Sequence, residues 1–107
     1  MTGRISPEML SVPLKRLLLD ADNPRLASGF KPTEKPTQHQ LLEVLWKEMA
    51  VDEVAFSIAE NGYYPEERLL VIRDAHGSSF IVIEGNRRVA AVVGPPNAVG
   101  RRGSKGR

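Results

Sequence analysis

The apolar run Phe80–Ile83 leads through Glu84-Gly85-Asn86-Arg87-Arg88 into Val89, Val92 and Val93, which recur at helical spacing. A strand that feeds a helix through one glycine is the feature most restrictive of the fold. It also poses a problem of charge. The start of a helix carries the positive end of its dipole, so two adjacent arginines are disfavoured there. Something negative should offset them, either a side chain of this chain or a ligand.

The same stretch has the parts of an anion site. Gly85 allows close approach of a backbone or a phosphate. Asn86 suits the N-cap position. The first-turn N–H groups have no acceptor within the helix and face outward. Arg87 or Arg88 can add a two-pronged contact to phosphate. The competing reading pairs the arginines with Glu84 or with a carboxylate of the Asp20–Asp22 loop, and short glycine motifs alone do not decide between the two.

At 107 residues the chain has room for one small domain with a modest core. With no cysteine, disulfides, thiolate chemistry and cysteine-ligated zinc are excluded, which fits a cytoplasmic setting. The opening MTGRISPEML has no long apolar segment, so neither a signal peptide nor a membrane partner is expected. The basic pI of about 9.2 is localised. Residues 94–107 contain Arg101, Arg102, Lys105 and Arg107 and no acid; they carry +4 of a whole-chain +2, so residues 1–93 carry −2. This Gly/Ser-rich tail reads as a solvated, disordered end able to bind polyanions weakly.

Residues 1–10 are expected to be flexible, 11–93 to form the domain, and 94–107 to be the basic tail. Ser11–Leu19 predicts a short first strand, Asp20–Arg25 a turn, and residues 26–36, with Gly29, Pro32 and Pro36, a surface loop. Thr37-Gln38-His39-Gln40 fits a capping box. Leu41, Leu45 and Met49 continue it as a helix, and Val51, Val54, Ala55 and Ile58 predict a second helix or a bent continuation. Gly62 suits a left-handed helix end. Leu69–Arg73 and Phe80–Ile83 flank a polar loop and predict a hairpin. Both strands are apolar on both faces, which predicts a sheet covered on both sides or nearly so.

Residues 57–73, SIAENGYYPEERLLVIR, followed by FIVIEGNRRVAAV, resemble the ParB-like N-terminal domain of the ParB/sulfiredoxin superfamily. The likeness rests on Ser57, Ile58 and Gly62, then on Gly85, Arg87, Arg88 and Ala91. The early VPLKRLLLDADNPRL resembles the family's first strand and Asn-Pro-Arg loop. It spans about residues 11–93. The resemblance implies a small α+β domain, a short mixed sheet with helices packed on it. It also implies a nucleoside triphosphate ligand, CTP or ATP, with or without Mg²⁺. Gly85, Asn86, Arg87 and Arg88 would contact phosphate. Gly62, Tyr63 and Tyr64 would lie on the base side, and Arg25 would approach the same cleft.

Two departures stand out. The sulfiredoxin branch has its catalytic cysteine where this chain has Asn86, so sulfinic acid reduction is not expected. ParB proteins continue into DNA-binding and dimerisation domains, whereas this chain ends in GPPNAVGRRGSKGR, which reads as a truncated end. The resemblance thus implies a DNA-associated partition or regulatory protein, with DNA contacted through missing regions or weakly through the tail. Two alternatives stay open: a nucleotide-dependent phosphoryl-transfer or nuclease enzyme with Glu84, beside Mg²⁺, as the catalytic residue, and an inactive truncated fragment. His39 and His76 lack metal-ligand spacing and read as surface residues. Trp46 reads as a core or interface anchor.

Overall fold

The computed structural model describes Met9 and residues 11–63, 68–75 and 77–97. A single 3-10 turn, Leu14–Arg16, precedes β1 (Leu17–Leu18). Then follow α1 (Pro24–Ala27), α2 (Gln38–Glu48), α3 (Val51–Asn61), β2 (Leu70–Arg73), β3 (Phe80–Glu84) and α4 (Asn86–Val93). The fold is α+β, with a three-stranded mixed sheet in the order β1-β3-β2. β1 runs parallel to β3, and β2 and β3 form the expected antiparallel hairpin.

Two stretches differ from expectation. The first strand is only two residues long, because Pro13 leads into the 3-10 turn before Leu17 reaches the sheet. The stretch from Asn23 is not all loop. Asn23 caps α1 by accepting from the Arg25 N–H at 2.9 Å, and Pro24 takes the first helical position. An Asn-Pro pair starts turns and helices with the same chemistry, and burial of Leu26 selects the helix here.

α2 begins as its sequence requires. The Thr37 side chain accepts from the Gln40 N–H at 3.1 Å, and Gln40 Oε1 accepts from the Thr37 N–H at 2.9 Å. Between them, Gln38 reaches back to the first strand. Its Oε1 accepts from the Leu19 N–H at 2.7 Å and its Nε2 donates to the Leu19 carbonyl at 3.0 Å. One amide thus satisfies both polar groups of a nearly buried residue just past the sheet edge. Gln38→Ala is expected to lower stability by about 1–3 kcal/mol, since those groups lose their partners; the shift in urea midpoint measures it.

α2 and α3 are two helices. Ala50 separates them in a left-handed conformation, with φ 55° and ψ 39°. Leu41, Leu42 and Leu45 of α2 and Val51 of α3 form the core with Leu19, Leu26, Val82, Val89 and Ala90. Leu41, Leu45, Val51 and Val82 are fully buried, each contributing about 1.5–3 kcal/mol of transfer free energy. Trp46 anchors α2 to α4, its indole N–H donating to the Ala90 carbonyl at 3.2 Å. In α4 the inward residues are Val89 and Ala90, whereas Val92 is 48% exposed.

Among the described residues the sheet is covered on one face only. Val82 faces the core opposite Val71, while Ile72, paired with Ile81, is 53% exposed on the outer face. Leu70 is equally exposed. The apolar residues on both faces suggested a second covering layer, but β2 is an edge strand of a sheet too small to be wrapped twice. At the far end of the hairpin the ladder slips. Leu70 pairs with Glu84 and Val71 with Val82, so Ile83 is the extra residue of a bulge.

Candidate functional site

β3 ends at Glu84, and Gly85 makes the bend into α4. Gly85 has φ 106° and ψ 17°, a conformation that favours glycine. A Cβ at this position would run into the Leu69 side chain. The backbone conformation is therefore what demands glycine, since the Leu69 methyl is the end of a flexible side chain that can shift. Gly85→Ala is expected to cost about 1–3 kcal/mol from the backbone conformation alone, read as a drop in the denaturant midpoint.

Gly85, not Asn86, is the N-cap of α4. Asn86 is the first helical residue and is 7% exposed. Its Oδ1 accepts from the Asp20 N–H at 3.1 Å, and its Nδ2 donates to the Val82 carbonyl at 2.9 Å. The Asn86 side chain therefore ties the Asp20 loop and the end of β3 to the start of α4. Asparagine is a sound cap candidate from the sequence, but its amide finds two partners further away, one buried and one part-buried, and Gly85 takes the cap position.

Arg88 and Val89 both donate their N–H groups to the Gly85 carbonyl, at 3.0 and 3.1 Å. The N–H groups of Asn86 and Arg87 have no acceptor within the helix. The outward chemistry of this turn therefore comes from backbone N–H groups and from Arg87 and Arg88, with the Asn86 side chain turned inward.

Two clefts flank this turn. The first, of about 270 Å³, is lined by Arg25 and Asn23 of the α1 start, by Glu84, Gly85, Asn86, Arg87 and Arg88, and by apolar residues that include Met49, Val54 and the bulged Ile83. The second, of about 280 Å³, is lined by Glu53, Ser57, Ile58, Gly62 and Tyr63 together with Val54, Arg87 and Arg88. The two clefts share Val54, Arg87 and Arg88. Arg25, Glu84, Gly85, Asn86, Arg87, Arg88, Gly62 and Tyr63 all line one or both. Tyr64 and His76 lie outside the described residues.

Asp20 uses its Oδ1 to accept from the Asp22 N–H at 3.0 Å. Asp22 pairs with Lys35 at 3.3 Å. Among the described residues neither carboxylate of that loop forms an ion pair with Arg87. Among the described residues Glu84 forms no ion pair with Arg87; the ion pairs there are Lys35–Asp22 and His39–Glu43. Arg87 instead donates from Nη2 to the Ala50 carbonyl at 3.3 Å, a long bond to a neutral acceptor. Its side chain is exposed, and it spans from α4 to the joint between α2 and α3.

The first cleft thus brings Arg25, Arg87 and Arg88 together with Glu84 beside the positive end of the α4 dipole. The sequence did not reveal Met49, Val54 or Ile83 as lining residues. Helical spacing marked Met49 and Val54 as core positions, and the bulge that brings Ile83 to the cleft has no local signature. Glu53 and Ser57 of the second cleft sit on a helix face that reads as ordinary solvated surface. Among the described residues no cluster of three or more His, Asp or Glu side chains could hold a metal ion, and no helix is long and apolar enough to cross a membrane. No family model, no curated protein and no solved structure matches the chain.

Proposed function

We propose that this chain binds a nucleoside triphosphate, CTP or ATP, through its phosphates at the start of α4, in the manner of a ParB-like domain of a DNA-associated partition or regulatory protein. One observation carries the reading. Arg87 stands at the positive end of a helix dipole with a backbone carbonyl as its hydrogen-bond partner and, among the described residues, it pairs with no carboxylate. A phosphate in the first cleft would supply the missing negative charge, accept from the first-turn N–H groups and meet a guanidinium fork.

The cleft of about 270 Å³ is small for a whole nucleotide. The second cleft shares Arg87 and Arg88 with it, so phosphates on those arginines leave the sugar and base to extend toward Gly62 and Tyr63. With no acidic cluster among the described residues, an accompanying Mg²⁺ would be held chiefly by the phosphates themselves. Glu84 on the cleft wall keeps a hydrolytic reading open, in which it orients a water toward the bound phosphates.

Calorimetric titration with CTP, ATP and GTP, with and without Mg²⁺, tests the proposal. Saturable heat with at least one nucleotide is the expected result. A folded protein that gives no heat with any of them would contradict it. Phosphate release in the same samples separates a binder from a hydrolase.

A further inference from the structure

Phe80 opens β3 at the end opposite Gly85, about 16 Å away along the strand at the usual rise per residue. It shares the inward face with Val82 and is 6% exposed, yet it stands outside the apolar cluster that holds Val82. Two cations cover it. The guanidinium carbons of Arg16 and Arg73 lie 5.3 and 5.1 Å from the ring centroid.

The sheet register explains the arrangement. Arg73 pairs directly with Phe80 across the antiparallel ladder, and Leu17, the residue after Arg16, pairs with it on the parallel side. Arg16 is further pinned by its Nε, which donates to the Ser78 carbonyl at 2.6 Å. That bond leaves the Nη nitrogens for another acceptor. Neither arginine belongs to an ion pair among the described residues. The two like charges lie within about 10 Å of each other, the sum of the two centroid distances, where repulsion is only partly screened.

We propose that this arginine-covered ring is a docking surface for a nucleic-acid backbone. The guanidinium fork matches phosphate oxygens. Stacking on one ring fixes both forks before the ligand arrives, which lowers the ordering cost of binding. A nucleic-acid strand presents closely and regularly spaced single charges, so two fixed cations can each engage a phosphate. Contacts of this kind read no bases, and binding is independent of sequence. The surface is separate from the α4 clefts, since neither Arg16 nor Arg73 lines them, and it does not rest on nucleotide binding there.

The test is fluorescence anisotropy of a labelled DNA duplex against the full chain at several salt concentrations, beside the double variant Arg16→Gln/Arg73→Gln. The basic tail contributes to the total salt dependence in both proteins, so the difference between them isolates the two arginines. Two lost phosphate contacts should flatten the slope of log K against log salt by about 1.8, while calorimetric nucleotide binding stays unchanged. Equal affinity and equal slope in the two proteins would overturn the proposal. So would displacement of the duplex by polyglutamate at equal charge concentration, which would mark an acidic-protein surface instead. Should the variant fail to fold, phenylglyoxal modification of the wild-type protein gives the answer directly. The duplex should protect Arg16 and Arg73, and their full reactivity in its presence would overturn the proposal.

Discussion

With Arg87 replaced by alanine, nucleoside triphosphate binding is expected to weaken by about 1.5–3 kcal/mol, the contribution of a hydrogen bond to a charged group, or roughly tenfold to a hundredfold in Kd. The melting temperature should barely move. Arg87 is exposed, and its bond to the Ala50 carbonyl is long at 3.3 Å. Loss of affinity without loss of stability is the signature of a side chain held for a ligand. Arg87→Lys should recover part of the binding, because it keeps the charge and loses the fork. Calorimetry on the three proteins measures this, and unchanged affinity in the alanine variant would defeat the site assignment.

Asn86→Ala should show the opposite pattern. The substitution removes an acceptor from the Asp20 N–H and a donor from the Val82 carbonyl. Leaving the buried Val82 carbonyl and the part-buried Asp20 N–H without partners costs about 1–3 kcal/mol each, so a total of roughly 2–6 kcal/mol is expected. For a domain this small that is a large part of its stability, and the variant should be substantially unfolded at 37 °C by circular dichroism. A well-folded variant with an unchanged melting temperature would mean that water replaces both contacts without loss. The two neighbours thus divide the work at the helix start. Asn86 fastens the turn to the sheet and to the Asp20 loop, and Arg87 faces the cleft.

That division was only half legible in the sequence. Residues whose roles depend on local chemistry declared themselves. The Thr37–Gln40 box, Gly62 at the end of α3 and the hairpin around residues 74–79 were all readable from spacing and turn chemistry. So was the strand–glycine–helix unit that carries the candidate site. What escaped depends on contacts between residues distant along the chain. The Asn86 amide bonds across 66 positions to Asp20, and Gln38 bonds across 19 to Leu19. A capping residue and a buried bridge are the same side chain until its partners are placed. The outer face of the hairpin is hidden from the sequence for a related reason. Ile72 and Leu70 look like core residues in a strand of unknown neighbours, and only the position of β2 at the sheet edge leaves them exposed.

The arginines of the site were visible for a different reason, because they break a local rule. Sequences that fold well tend to agree across levels, and conflicts concentrate where a site needs them. Arg87 at a helix start is such a conflict. Arg73, at an inward position of β2 and set over Phe80, is a second. The first is visible from dipole physics alone. The second requires the sheet register.

If the first turn of α4 receives phosphate, as proposed, the amide resonances of that turn report on it most directly. In a ¹⁵N-labelled sample titrated with CTP or ATP, the largest chemical-shift changes are expected at Gly85, Asn86, Arg87 and Arg88, with smaller ones at Arg25, Gly62 and Tyr63. The account would be contradicted if those four amides stayed still at saturating nucleotide, or if the changes were confined to the Phe80 end of the sheet.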